Sequence, residues 1–172
     1  MRIALLVFTL VSASLSAWSI ETFSGFIIQN GSQLLLRNNT QSLILTADNT
    51  DVKAQLFKLK SNDFVSGLGS SLSGNIVRLE TIDFVGLSSF LGLWVSPLGL
   101  MQVADFSSLN LYSGNHSKAD SSQLHSSLNY SITPGSGASW VLFMTDANQI
   151  YFSNLTVTGT KASIRFFDTQ TG

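Results

Sequence analysis

Both histidines of this chain lie in one stretch, SGNHSKADSSQLHSSLN. His116, Asp120 and His125 form a two-histidine, one-carboxylate set, the donor chemistry of an open non-haem metal site. Such ligands need rigid elements and further hydrogen bonds behind them to hold them in place. This stretch is Ser-rich and reads as a solvated loop, so no metal is expected. Nucleophilic chemistry finds no better footing: serines abound, but no G-x-S-x-G elbow occurs, and the only available bases are those loop histidines. The acids Glu21, Asp48, Asp51, Asp63, Glu80, Asp83, Asp105, Asp120, Asp146 and Asp168 offer no pair that the sequence singles out for acid–base hydrolysis. The glycine-rich SGLGSSLSG lacks the lysine and the following helix of a phosphate cradle. No catalytic residue, cofactor or enzyme activity is therefore expected.

What remains are aromatic side chains, concentrated in the second half of the chain. Trp94, Tyr130, Trp140 and Tyr151 combine an apolar body with a polar tip, the equipment of a small apolar ligand site. Small barrels are usually packed solid, which favours the same residues as a filled core in which each polar tip finds a partner.

The elements that must position them are strands. Short apolar runs separated by Asn, Gly, Ser and Asp recur along the chain, the all-β pattern. FSGFIIQ and SQLLLRN flank Asn30-Gly31, a two-residue hairpin signal. In DNTDVKAQLFKLKSNDF, Val52, Leu56 and Leu59 fall at helical spacing with Asn49 or Asp51 as N-cap, favouring a short helix near 51–59. A strand with Val52, Ala54 and Leu56 on one face is the alternative. FVSGLGSSL and NIVRLETIDFVGL read as strands joined through Ser73-Gly74-Asn75, with Gly67 and Gly69 permitting a sharp bend. In SLNYSITP, Leu128, Tyr130 and Ile132 alternate with polar residues as in a half-buried strand. In QIYFSNLTVTGT the parity shifts from Ile150/Phe152 to Leu155/Val157, so a bulge or hairpin is expected near Ser153-Asn154. KASIRFFDTQTG supplies the last strand.

Three strands, a short helix and two more strands over 20–84 resemble an oligonucleotide/oligosaccharide-binding (OB) barrel. Members of that family that bind single strands use a basic groove with stacking aromatics. Here the cations are few, Arg37, Lys53, Lys58, Lys60 and Arg78, so nucleic acid is not an expected partner. Gly92-Leu93-Trp94 and the strands after it are similar to the opening of lipocalin-like barrels, whose Trp closes one barrel end. That resemblance implies a small antiparallel barrel, half-barrel or sandwich over 85–172. In it, Trp94, Tyr130, Trp140 and Tyr151 either line a cavity or fill a core. The expected fold is thus all-β: two small antiparallel modules, 20–84 and 85–172, joined by an apolar seam.

That seam is FVGLSSFLGLWVSPLGLMQVA, uncharged from Phe84 to Ala104. Its glycines, serines and Pro97 argue against a spanning helix. It divides instead into a short apolar turn or helix over Val85 to Leu91, a strand from Gly92, a turn at Ser96–Gly99 and a strand from Leu100, with both sides buried. At the N-terminus, Arg2, an apolar run from Ile3 to Val11 and small residues to Ser19 have the order of a secretory signal peptide, assigned to 1–19. Candidate cleavage triplets end at Ala13, Ala17 and Ser19. Charged residues make up 11% of the chain against about 25% in ordinary soluble domains, net charge is −1, and there is no cysteine. Nothing here attracts phosphates or anionic lipid. The expectation is a secreted or periplasmic, non-catalytic binding or assembly module whose partner is a protein or envelope component. The alternative is a carrier of a small apolar ligand in the C-terminal barrel.

Overall fold

The computed structural model describes residues 19–114, 119–147 and 149–167. The signal-peptide assignment, His116, Asn148 and Asp168 lie outside these residues or, for the signal, almost wholly so. The fold is all-β with one short α-helix.

The first half closes into a five-stranded barrel. Its elements are β1 (Ile20–Asn30), β2 (Gln33–Arg37), β3 (Ser42–Ala47), α1 (Thr50–Lys58), β4 (Phe64–Leu72) and β5 (Ile76–Leu79). Hydrogen bonding runs β1-β2-β3-β5-β4 and returns from β4 to β1. β3 and β5 pair in parallel, which the intervening α1 and β4 make possible by carrying the chain back across the barrel. Ile27, Leu36, Leu43, Leu45, Val65, Val77 and Leu79 fill the barrel core. α1 adds Val52 and Leu56, and its extended C-cap residue, Leu59, joins them. Asn49 caps the helix, its side chain accepting from the Asp51 N–H at 2.8 Å and more weakly from that of Val52.

Two local readings shift. The first hairpin turns on Gly31-Ser32, because Asn30 stays in the ladder opposite Gln33. Only the first loop position has positive φ (Gly31, 59°), which places glycine there. The stretch NIVRLETIDFVGL is also not one strand. β5 ends at Leu79, and pairing with β4 resumes at β6 (Phe84–Gly86), so Glu80 to Asp83 loop out over the middle of β4. The N–H groups of Glu80 and Thr81 both bond the Leu68 carbonyl there, at 2.8 and 3.2 Å.

The second half is an antiparallel meander: β7 (Gly92–Ser96), β8 (Gly99–Val103), β9 (Ser108–Tyr112), β10 (Leu124–Pro134), β11 (Trp140–Thr145), β12 (Ile150–Thr158) and β13 (Lys161–Phe166). Among the described residues β7 pairs only with β8, and β13 only with β12, so this sheet is open at both ends. β6 joins the halves by pairing with β4 on one side and with β10 on the other; the anticipated boundary between 84 and 85 falls inside it. Buried residues of both halves form one hydrophobic cluster, from Ile27 to Leu155. Lys58 at the end of α1 reinforces the junction: its Nζ donates to the Gly135 carbonyl at 2.6 Å and lies 5.7 Å above the Trp140 ring.

The uncharged stretch is buried only in part. Val85, Leu87 and Phe90 are core residues, and a single 3-10 turn spans Ser88–Phe90. Asp63, itself buried, fixes that turn: one carboxylate oxygen accepts from the Ser88 N–H and hydroxyl, both at 2.8 Å, and the other from the Lys60 N–H. From Leu91 to Leu98 the expectation of burial on both sides fails, whereas Leu100 and Val103 are buried again. Leu91, Leu93, Val95 and Leu98 are exposed; among the described residues β7 is an edge strand that pairs with β8 alone. No helix among the described residues is long and apolar enough to cross a membrane.

Candidate functional site

The four aromatics nominated from sequence occupy different settings. Tyr130 and Trp140 are core residues with partners for their polar or π surfaces. The Tyr130 hydroxyl donates to the Asp105 carbonyl at 2.7 Å, and Phe90 packs edge-on at 5.7 Å. Trp140 faces Lys58. Trp94 is half-buried, its Nε1 donating to the Phe90 carbonyl at 2.8 Å. Tyr151 is also half-buried and hydrogen-bonds Gln149, but it opens onto a surface groove. Of the loop set, His116 lies outside the described residues; Asp120 accepts from the Ser122 N–H and hydroxyl, and His125 sits at a register irregularity in β10.

The groove containing Tyr151 arises from the parity shift in QIYFSNLTVTGT. No bulge forms: β12 keeps unbroken register with β11 and with β13. A regular strand must then send one apolar set outward. Tyr151, Ser153, Leu155 and Val157 take the inner face. Ser153 is fully buried, its hydroxyl near the Leu142 carbonyl. Ile150 and Phe152 are left outside at 62% and 37% exposure. Phe143 of β11 meets Phe152 edge-on at 5.0 Å, and Phe167 bonds the Phe152 carbonyl through its N–H. Phe166 and Phe167 are 58% and 48% exposed. Gln149, Ile150, Tyr151, Phe152, Phe166 and Phe167 border an open groove of about 510 Å³. A second groove, of about 230 Å³, lies where α1 meets β2 and β3, with Phe57 on its rim.

Among the described residues, a free sheet edge runs beside the aromatic groove. The β12–β13 turn is Gly159-Thr160, so Thr158 and Lys161 flank a two-residue loop and must be a mutually bonded pair. Alternation then bonds Ser163 and Arg165 inward to β12 and turns the N–H and C=O groups of Ala162, Ile164 and Phe166 outward. Lys161 and Arg165 share the exposed face of this strand. Apolar surface, unpaired backbone groups and two cations are thus brought together. Such a surface can take up an extended chain, each large apolar side chain it covers contributing about 1.5–3 kcal/mol when fully buried.

Tyr130 gives this half a pH signature. Burial, and secondly the Asp105 carboxylate, push its phenol well above the ordinary tyrosine range. Asp105 itself is held low, chiefly by the Ser107 N–H and further by Ser108 and the Ser107 hydroxyl. A phenol whose pKa is raised on folding contributes stability that is complete below its unfolded value of 10.0 and is lost as pH rises above it. Urea midpoints measured at about pH 9 and about pH 11 should therefore fall less steeply in Tyr130→Phe than in the parent. Equal slopes would remove Tyr130 from the alkaline transition.

No family model, no curated protein and no solved structure matches this chain.

Proposed function

We propose that this chain is an exported, non-catalytic binding module that accepts an extended segment of an envelope or extracellular protein along β13. The observation that carries the reading is the coincidence of the outward backbone groups of Ala162, Ile164 and Phe166 with the exposed ring surface of Phe152, Phe166 and Phe167. Lys161 and Arg165 select the chemistry of the partner: acidic residues alternating with apolar ones. The closed barrel, with its OB-like strand order, serves as the rigid base on which this sheet is held.

The reading is tested with a labelled ten-residue peptide alternating Phe or Val with Glu, and with its Lys counterpart. Fluorescence anisotropy should favour the acidic peptide. Ala162→Pro, which deletes an outward donor without touching the ladder to β12, should weaken binding by roughly tenfold, the effect of one hydrogen bond. Equal binding of both peptides, unaffected by the proline, would contradict strand addition.

A further inference from the structure

At its other end the same sheet exposes β7, and its edge is of a different kind. Edge strands are normally guarded by charge. β13 carries Lys161 and Arg165, but β7 has no charged residue, and neither does anything from Phe84 to Ala104. Its outward side chains are apolar: Leu93 is 50% exposed, Val95 60%, and Leu98 at the hairpin tip 95%. Pro97-Leu98 is the two-residue turn, so Ser96 and Gly99 are a mutually bonded pair. Alternation makes Trp94 and Gly92 the next residues bonded to β8. The N–H and C=O groups of Leu93 and Val95 therefore point to the open side.

From this pattern we infer that β7 is a self-pairing edge, joining a second copy of this chain in an antiparallel, two-fold symmetric dimer centred on Trp94. An isologous contact requires the strand to complement itself. About Trp94 it does. Leu93 of one copy comes opposite Val95 of the other, and each pair is bonded through the groups that β8 leaves free. Leu91 comes opposite Pro97, and Leu98 extends past the strand end onto the neighbour's seam. Both side-chain pairs at the centre are apolar and lie on one face, so pairing covers the surface that the monomer leaves open. A net charge of −1 gives the two copies almost no mutual repulsion. The contact uses the opposite edge from β13 and does not depend on the peptide reading above.

Sedimentation velocity of the purified protein from about 1 to about 100 µM should show a monomer converting to a dimer. Val95→Lys, at an exposed position where folding is not at stake, should raise the dissociation constant at least ~tenfold by placing two unpaired cations in the contact. Adding Leu93→Glu to it sets opposite charges against each other across both central pairs. The double variant should then return to within about threefold of the parent. That rescue is specific to the Trp94-centred register. A parent that stays monomeric throughout, a Val95→Lys variant that dimerises like the parent, or a double variant no tighter than the single one would each overturn the proposal.

Discussion

Phe90→Ala should lower the unfolding free energy by about 3–5 kcal/mol, the cost of truncating a fully buried aromatic. Phe90 has no exposed surface. Its ring lies 5.7 Å from that of Tyr130 and 6.2 Å from that of Trp94, and its carbonyl holds the Trp94 indole. Collapse into the void is blocked because Asp63 fixes Ser88 two residues earlier. The cavity therefore persists, at the place where the barrel core passes into the open sheet. Urea denaturation followed by tryptophan fluorescence measures the loss. Leu91→Ala is the control: at 36% exposure it should cost less than about 1 kcal/mol. A Phe90 variant as mild as the Leu91 variant would mean that the seam is not packed as described.

Gly67→Ala is expected to be at least as severe, for a steric reason. A Cβ there would lie 2.0 Å from the Thr81 carbonyl oxygen and 3.1 Å from the Ile82 Cα, backbone atoms that no side-chain rotation can move. Relief requires pushing away the segment that loops over β4 and giving up its two bonds to the Leu68 carbonyl. A loss above roughly 3 kcal/mol follows, enough to leave a marginal domain largely unfolded. Gly31→Ala separates this cause from backbone conformation. Gly31 has φ of 59° but open space around it, so alanine there should cost only about 1–2 kcal/mol. Thermal melts of the two variants should differ by several degrees, and equal melting temperatures would refute the clash at Gly67.

Local periodicity carried much of this fold into view. Asn49, Val52, Leu56 and Leu59 announced α1, and Leu128, Tyr130 and Ile132 announced the buried face of β10. Barrel closure over 20–84 was anticipated from element order and its resemblance to an OB barrel, not from periodicity, since the β1–β4 and β3–β5 contacts join segments far apart in sequence. The loop at Glu80–Asp83 depends on the same long-range fit. For the candidate site, the out-of-phase Ile150 and Phe152 were the usable signal, though a bulge explains them equally well. Choosing between a bulge and an exposed apolar face requires knowing that β12 has neighbours on both sides in unbroken register. Leu93 and Val95 posed a similar difficulty, because an uncharged run reads as buried until β7 is found to pair, among the described residues, on one side only.

Amide hydrogen exchange, read residue by residue by NMR with and without the acidic peptide, tests the proposed binding edge most directly. In the free protein the outward N–H groups of Ala162, Ile164 and Phe166 should exchange quickly, and those of Ser163 and Arg165, bonded to β12, slowly. Saturating peptide should slow the first set by about tenfold or more and leave the second set nearly unchanged. Protection that is uniform along β13, or that appears only at the groove beside α1, would contradict strand addition at this edge.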